Sequence, residues 1–134
     1  VGALLEEDAG QVHVLRDPTR GGLATTLCEI ARASGVEIAI EEERLPIRGA
    51  VNTACEMIGL DPLYLANEGK MIVICDQDGA EDLLQRMRRM PEGRDAALIG
   101  WVGERGKGRL SLTTRIGGSR LLESLTGQPL PRIC

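Results

Sequence analysis

The chain has 134 residues, a net charge of −4, and 27% charged against 43% hydrophobic residues. That length supports one domain with a sizeable core, and that balance is typical of a soluble globular protein. The acidic excess argues against bulk binding to nucleic acid or an anionic membrane. No run of eighteen apolar residues suggests a membrane span and no leader-like pattern opens the chain, so the cytoplasm is the expected compartment.

Aromatic residues are scarce, with one Trp, one Tyr and no Phe. The core is therefore expected to be aliphatic, with Trp101 inside it. The first residue is Val1, which suggests a piece of something longer, and "VGALLEEDAG" reads like the tail of a helix entered midway. "QVHVL" (11–15) alternates as a strand. "GLATTLCEIARASG" then carries Leu23, Leu27, Ile30 and Ala31 at helical spacing, with Gly35 as a stop. "VEIAIEE" (36–42) alternates again. "IRGAVNTACEMIGL" carries Ile47, Val51, Ala54, Cys55 and Ile58, the stripe of a second amphipathic helix. "KMIVIC" (70–75) is a short apolar strand, and "GAEDLLQRMRRM" (79–90) is a third helix stopped by Pro91. "AALIGWVGE" (96–104) and "GRLSLTT" (108–114) are strands joined by a Gly-rich turn. The rest, "GGSRLLESLTGQPLPRIC", is broken by glycines and prolines. Its last eight residues, 127–134, are expected to be a mobile tail.

This order predicts an α+β fold: a mixed, mainly antiparallel sheet covered by helices. One histidine and no Cys-x-x-Cys pair make a zinc site improbable. Cys28, Cys55 and Cys75 fall in apolar patterns and read as small buried hydrophobes. Cys134 is then the thiol left exposed.

Three stretches could carry chemistry. In "RDPTRGGLA" (16–24) a strand ends, an Asp-Pro turn follows, and Gly21 and Gly22 open a helix. Free amides and the macrodipole at a helix start favour an anion. Arg20 could add a charge-assisted hydrogen bond to a phosphate, and Asp17 could hold Mg²⁺ against phosphate oxygens. The plainer reading is a turn with Thr19 as N-cap and glycines for tight packing. In "LANEGK" (65–70), Glu68 beside Asn67 could act as a general base, or Glu68 and Lys70 could form a weak surface pair in a solvated turn. The third stretch is "PLPRIC". Its prolines resist helix and sheet and favour an extended arm, which could carry the Cys134 thiol into a pocket. His13 reads as structural, and "EEER" (41–44) as a solvated strand end.

Together, "DPTRGGLA", "LYLANEGKMIV" and the terminal "PRIC" resemble the C-terminal half of the hydrogenase maturation factor HypE family. That family lies within the PurM, or aminoimidazole-ribonucleotide synthetase, superfamily. The resemblance runs over essentially the whole chain and is most specific at the terminal Pro-Arg-Ile-Cys. It implies a PurM-like C-terminal domain over residues 1–126, a tail over 127–134, and an N-terminal nucleotide-binding domain absent from this chain. It also implies that Cys134 accepts a carbamoyl group from HypF. ATP with Mg²⁺ would then drive dehydration of the thiocarboxamide to a thiocyanate. The cyano group would pass to iron on the HypC–HypD complex and become a cyanide ligand of nickel–iron hydrogenase.

By the same resemblance Glu68 is the base, and Asn67 and Lys70 are its neighbours at the reacting group. Asp17, Thr19, Arg20, Gly21 and Gly22 face the ATP phosphates or the metal, and the complete protein is a homodimer. The absent half would supply most of the nucleotide site, so this chain alone is expected to bind ATP weakly and not to turn over. Two other readings stay open: another PurM-superfamily ATP-dependent synthetase or kinase, or a non-catalytic docking domain.

Overall fold

A computed structural model describes residues 10–125. The expected tail with Cys134 and the helical reading of the first residues lie outside the described residues. The chain divides into two compact units: one holds the segment up to Arg16 together with Met71–Leu98, the other Asp17–Lys70 and the segment from Ile99 onward.

In the smaller unit, strand β1 (Val12–Arg16) pairs antiparallel with β3 (Ile72–Cys75), with Leu15 opposite Val73. The register shifts between Val12 and Val14. His13 sits at that shift, and its Nε2 lies 2.7 Å from Asp76 Oδ1. Helix α3 (Ala80–Arg89) buries Leu83 and Leu84. Glu81 and Asp82 occupy its first turn and Arg86, Arg88 and Arg89 its last, matching the helix dipole at both ends. Met90 leaves in an extended conformation, as a residue before proline must.

The larger unit is built on a four-stranded sheet of order β4-β2-β5-β6. Its strands are β2 (Val36–Glu41), β4 (Gly100–Arg105), β5 (Leu110–Thr113) and β6 (Ser119–Leu122). β2 pairs antiparallel with β4 and parallel with β5, and β5 pairs antiparallel with β6. The register sets Ile38 beside Leu110, Ile40 beside Leu112, and Leu110 opposite Leu122. All five are buried. Helix α1 (Gly22–Ser34) covers β2 and β5 with Ala24, Leu27, Cys28, Ile30 and Ala31. The aliphatic core expected from composition is this layer.

The α+β class and the mixed, mainly antiparallel pairing hold, but the strands form two sheets rather than one. β6 falls in a stretch that sequence reading left irregular. Gly117 and Gly118 precede it, and its role comes from pairing with β5. Trp101 is not in the core: it is 54% exposed. It stands opposite Ala39 on edge strand β4, out of phase with the buried Ile38 and Ile40. Helix α2 (Gly49–Ile58) buries only Cys55, and Val51 and Ile58 stay exposed. "EEER" holds a single 3-10 turn, Glu42–Arg44. Cys28 and Cys55 are buried as expected, whereas Cys75 is half-buried.

Candidate functional site

The Asp-Pro-Thr-Arg-Gly-Gly turn belongs to the larger unit and leads into α1. Asp17 and Arg20 are exposed, Pro18 is buried and Thr19 half-buried. Thr19 is not the N-cap. Gly21 caps the helix at φ 69°, with no side-chain cap bond. Gly22 follows at φ 65°. Two successive left-handed residues are cheap only for glycine. Gly22 also has a packing reason. A Cβ there would stand 2.5 Å from the carbonyl oxygens of both Leu63 and Leu65. Thr25 N–H donates to Gly21 O at 3.3 Å, while the amides of Gly22, Leu23 and Ala24 have no main-chain acceptor among the described residues. Open amides at the start of a long helix are suited to an anion.

The loop that presses on Gly22 carries the second motif. Asp61 Oδ1 accepts from Leu63 N–H at 2.9 Å and caps a 3-10 turn, Pro62–Tyr64. Asn67 then folds back twice. Its side-chain amide donates to Leu65 O at 2.9 Å, and its main-chain N–H donates to Pro18 O at 3.1 Å. That second bond brings the two sequence motifs together. It sets Pro18 of the first beside Asn67 of the second. Glu68 and Lys70 are exposed. Among the described residues neither has an ion-pair or hydrogen-bond partner, so the expected surface pair between them does not form.

Sequence reading missed a strap at the end of the described chain. Cys28 Sγ donates to Leu122 O at 3.3 Å. Tyr64 Oη donates to Glu123 O at 2.8 Å. Arg32 Nη1 donates to Ser124 Oγ at 2.9 Å. Leu125 N–H reaches Thr25 Oγ1 at 3.5 Å. Burial raises the Cys28 thiol above its ordinary range, with Arg32 opposing. Burial also raises the Tyr64 phenol, with the bond to Glu123 opposing, so Tyr64 is a hydrogen-bond donor at neutral pH. No local pattern marks these residues, because each partner lies far away in the chain. A cleft of about 420 Å³ in this unit, lined by Leu45, Cys55, Arg115 and the Asp61–Leu63 end of the 3-10 turn, contains none of the predicted site residues. Among the described residues no group of three or more His, Cys, Asp or Glu is gathered for a metal ion.

Residues 1–113 match the family described as AIR synthase related protein, C-terminal domain. The chain belongs to that family. As an AIR synthase related C-terminal domain, it is 52% identical over 124 residues to carbamoyl dehydratase HypE of Azotobacter vinelandii, covering 92% of this chain and 36% of that protein. The crystal structure of hydrogenase maturation protein HypE in complex with ATP superposes with a TM-score of 0.87 at 47% identity, over 98% of this chain and 40% of that one. The crystal structure of a HypE–HypF complex gives a TM-score of 0.81 at 44% identity, over 87% of this chain and 37% of that one. The domain therefore spans about two-fifths of the length of its HypE relatives. Among the described residues no helix is long and apolar enough to cross a membrane.

Proposed function

We propose that this chain is the C-terminal catalytic-carrier domain of a cytoplasmic hydrogenase maturation enzyme. In this reading residues 1–126 are the domain and 127–134 carry Cys134. The enzyme dehydrates a carbamoyl group on that sulfur, from thiocarboxamide to thiocyanate. The observation that carries the reading is where the segment bearing Cys134 begins. Leu125 N–H meets Thr25 in the first turn of α1, beside the glycine turn and the loop of Glu68. The remaining residues, 126–134, number nine, and such a length reaches at most about 30 Å. That starting point supports a Cys134 thiol working with a base and a phosphate site on the same unit. The relative named carbamoyl dehydratase and the HypE structure with ATP support the same reading.

The residues present fit a nucleotide phosphate. The open α1 amides and the exposed Arg20 suit its oxygens. Asp17 offers one carboxylate to Mg²⁺, which commonly takes its other ligands from phosphate and water. When bound, ATP supplies the phosphoryl group that makes the amide oxygen a leaving group. Glu68, exposed and unpaired among the described residues, takes the N–H protons of the carbamoyl nitrogen. Asn67 holds the Glu68 loop against Pro18, and Lys70 stands near with a positive charge. The Cys134 sulfur keeps its bond to carbon throughout, so the substrate never diffuses away.

HypF would deliver the carbamoyl group, in keeping with the HypE–HypF complex solved for a relative. The HypC–HypD complex would receive the cyano group for iron. An N-terminal domain would complete the nucleotide site and the homodimer. The test uses the complete protein with HypF, carbamoyl phosphate and ATP, followed by intact mass. The unaltered protein gains a carbamoyl mass and then loses a water. Glu68→Gln stops at the carbamoyl stage, and Cys134→Ala gains nothing. Carbamoylation that persisted in Cys134→Ala would refute the carrier role.

A further inference from the structure

Four consecutive residues, Leu122 to Leu125, are each tied to α1 or to the 3-10 turn beside it. The ties come from Cys28, Tyr64, Arg32 and Thr25 in turn. Strand β6 already ends at Leu122, so the sheet does not need the last three. Glu123, Ser124 and Leu125 pair with no strand. Their hydrogen bonds therefore fix the course of the chain after it leaves the sheet, between the Pro62–Tyr64 turn, Arg32 in the last turn of α1 and Thr25 in its first. Tyr64 is well placed for this. It belongs to the same 3-10 turn whose backbone presses on Gly22, and that turn leads directly into the loop of Asn67 and Glu68. One short element thus supports the glycine turn, leads into the candidate base and holds the chain on its way to Cys134.

We infer that Tyr64 and Arg32 are positioning residues for the carrier reaction: they fix the origin from which the Cys134 segment departs, alongside α1 and the Pro62–Tyr64 turn. The inference rests on the proposed function. A tethered group meets its site at an effective concentration set by the span and by where it starts. With Glu123 and Ser124 held, ten residues, 125–134, separate the last firmly held residue from the end of the sequence. If both ties are lost, the span grows to about twelve, because the 3.5 Å contact at Leu125 is too long to hold the chain alone. Length alone then lowers the effective concentration about 1.3-fold. Loss of a fixed starting direction adds to this, so the tethered reaction is expected to slow by about two- to four-fold.

The variant is Tyr64→Phe with Ser124→Ala in the complete protein. It removes the phenol donor and the acceptor of Arg32 while leaving the packing in place. Two rates are compared: single-turnover dehydration of the carbamoyl group on Cys134, and dehydration of free S-ethyl thiocarbamate by the same protein carrying Cys134→Ala. The expected result is a slower tethered rate with an unchanged free rate. A tethered rate that does not change overturns the inference, and so does an equal fall in both, which would mark a merely structural role. A second readout does not depend on turnover. Spin labels on Cys134 and on Ala33→Cys, in a Cys75→Ser background, report a distance distribution. It should broaden in the variant, and an unchanged distribution overturns the inference. If the unaltered protein dehydrates nothing, the proposed function falls, and the distance measurement still decides whether the strap holds the segment.

Discussion

Replacing Gly22 by alanine puts a methyl group where the backbone leaves no room. The residue has φ 65°, and the new Cβ would lie 2.5 Å from Leu63 O, 2.5 Å from Leu65 O and 2.8 Å from Tyr64 C. The left-handed conformation costs a non-glycine residue about 1–2 kcal/mol. The overlap costs about 1–3 kcal/mol more, because the obstacles are main-chain atoms of a capped turn and not movable side-chain ends. The sum, about 2–5 kcal/mol, is a large share of the ~5–15 kcal/mol that holds a domain folded. Gly59 is the control. It has φ 71° with nothing within 4 Å of an added Cβ, so Gly59→Ala feels only the conformational part. Urea unfolding of both variants, with unchanged m-values, separates the two contributions. If Gly22→Ala were no more destabilising than Gly59→Ala, the close approach of α1 to the 62–65 turn would be wrong.

Other outcomes are open to direct measurement. Leu110→Ala, at 1% exposure, should cost about 2–5 kcal/mol in urea unfolding. Trp101→Thr, on the exposed face of an edge strand, should cost under about 1 kcal/mol despite deleting a larger side chain. Burial raises the Cys28 pKa in the folded state. Its contribution is therefore complete below the unfolded thiol value, near roughly pH 8.5, and is lost as pH rises toward the folded value. Cys28→Ser keeps a donor to Leu122 O but cannot ionise in this range, so its stability should fall less steeply above pH ~8.5 than that of the unaltered protein. Calorimetry on this chain alone should show no tight ATP binding, and tight binding would mean that no second domain is needed to complete the nucleotide site.

Much of the local structure is written in the sequence. The spacing of Leu23, Leu27, Ile30 and Ala31, with Gly35 after them, marks α1 because a helix buries one stripe and a glycine ends it cheaply. Alternation in "VEIAIEE" marks β2 in the same way. The paired glycines and the Asn-Glu-Gly-Lys loop read equally well as plain turns, and they stand out as candidate sites only through the resemblance carried by "DPTRGGLA", "LYLANEGKMIV" and "PRIC". Their meeting was not legible. It depends on a main-chain bond from Asn67 to Pro18, and main-chain bonds leave no side-chain pattern.

The same limit explains the misses. Trp101 looked like core because hydrophobicity is a property of the residue, whereas exposure depends on its strand lying at an edge and out of phase with Ile38 and Ile40. β6 carries no strong pattern of its own and exists as a strand through its pairing with β5. By itself, the sequence determined which segments bend, coil or extend, and which residue types are available for chemistry, because these follow from neighbours a few positions apart. Only the tertiary structure decided that β2 lies parallel to β5 across a long intervening segment and that the glycine turn meets the Glu68 loop. It also decided that Glu123 and Ser124 are strapped to the Pro62–Tyr64 turn and to α1. Contacts between remote segments are selected by the packing of the whole core, which no short window of sequence contains.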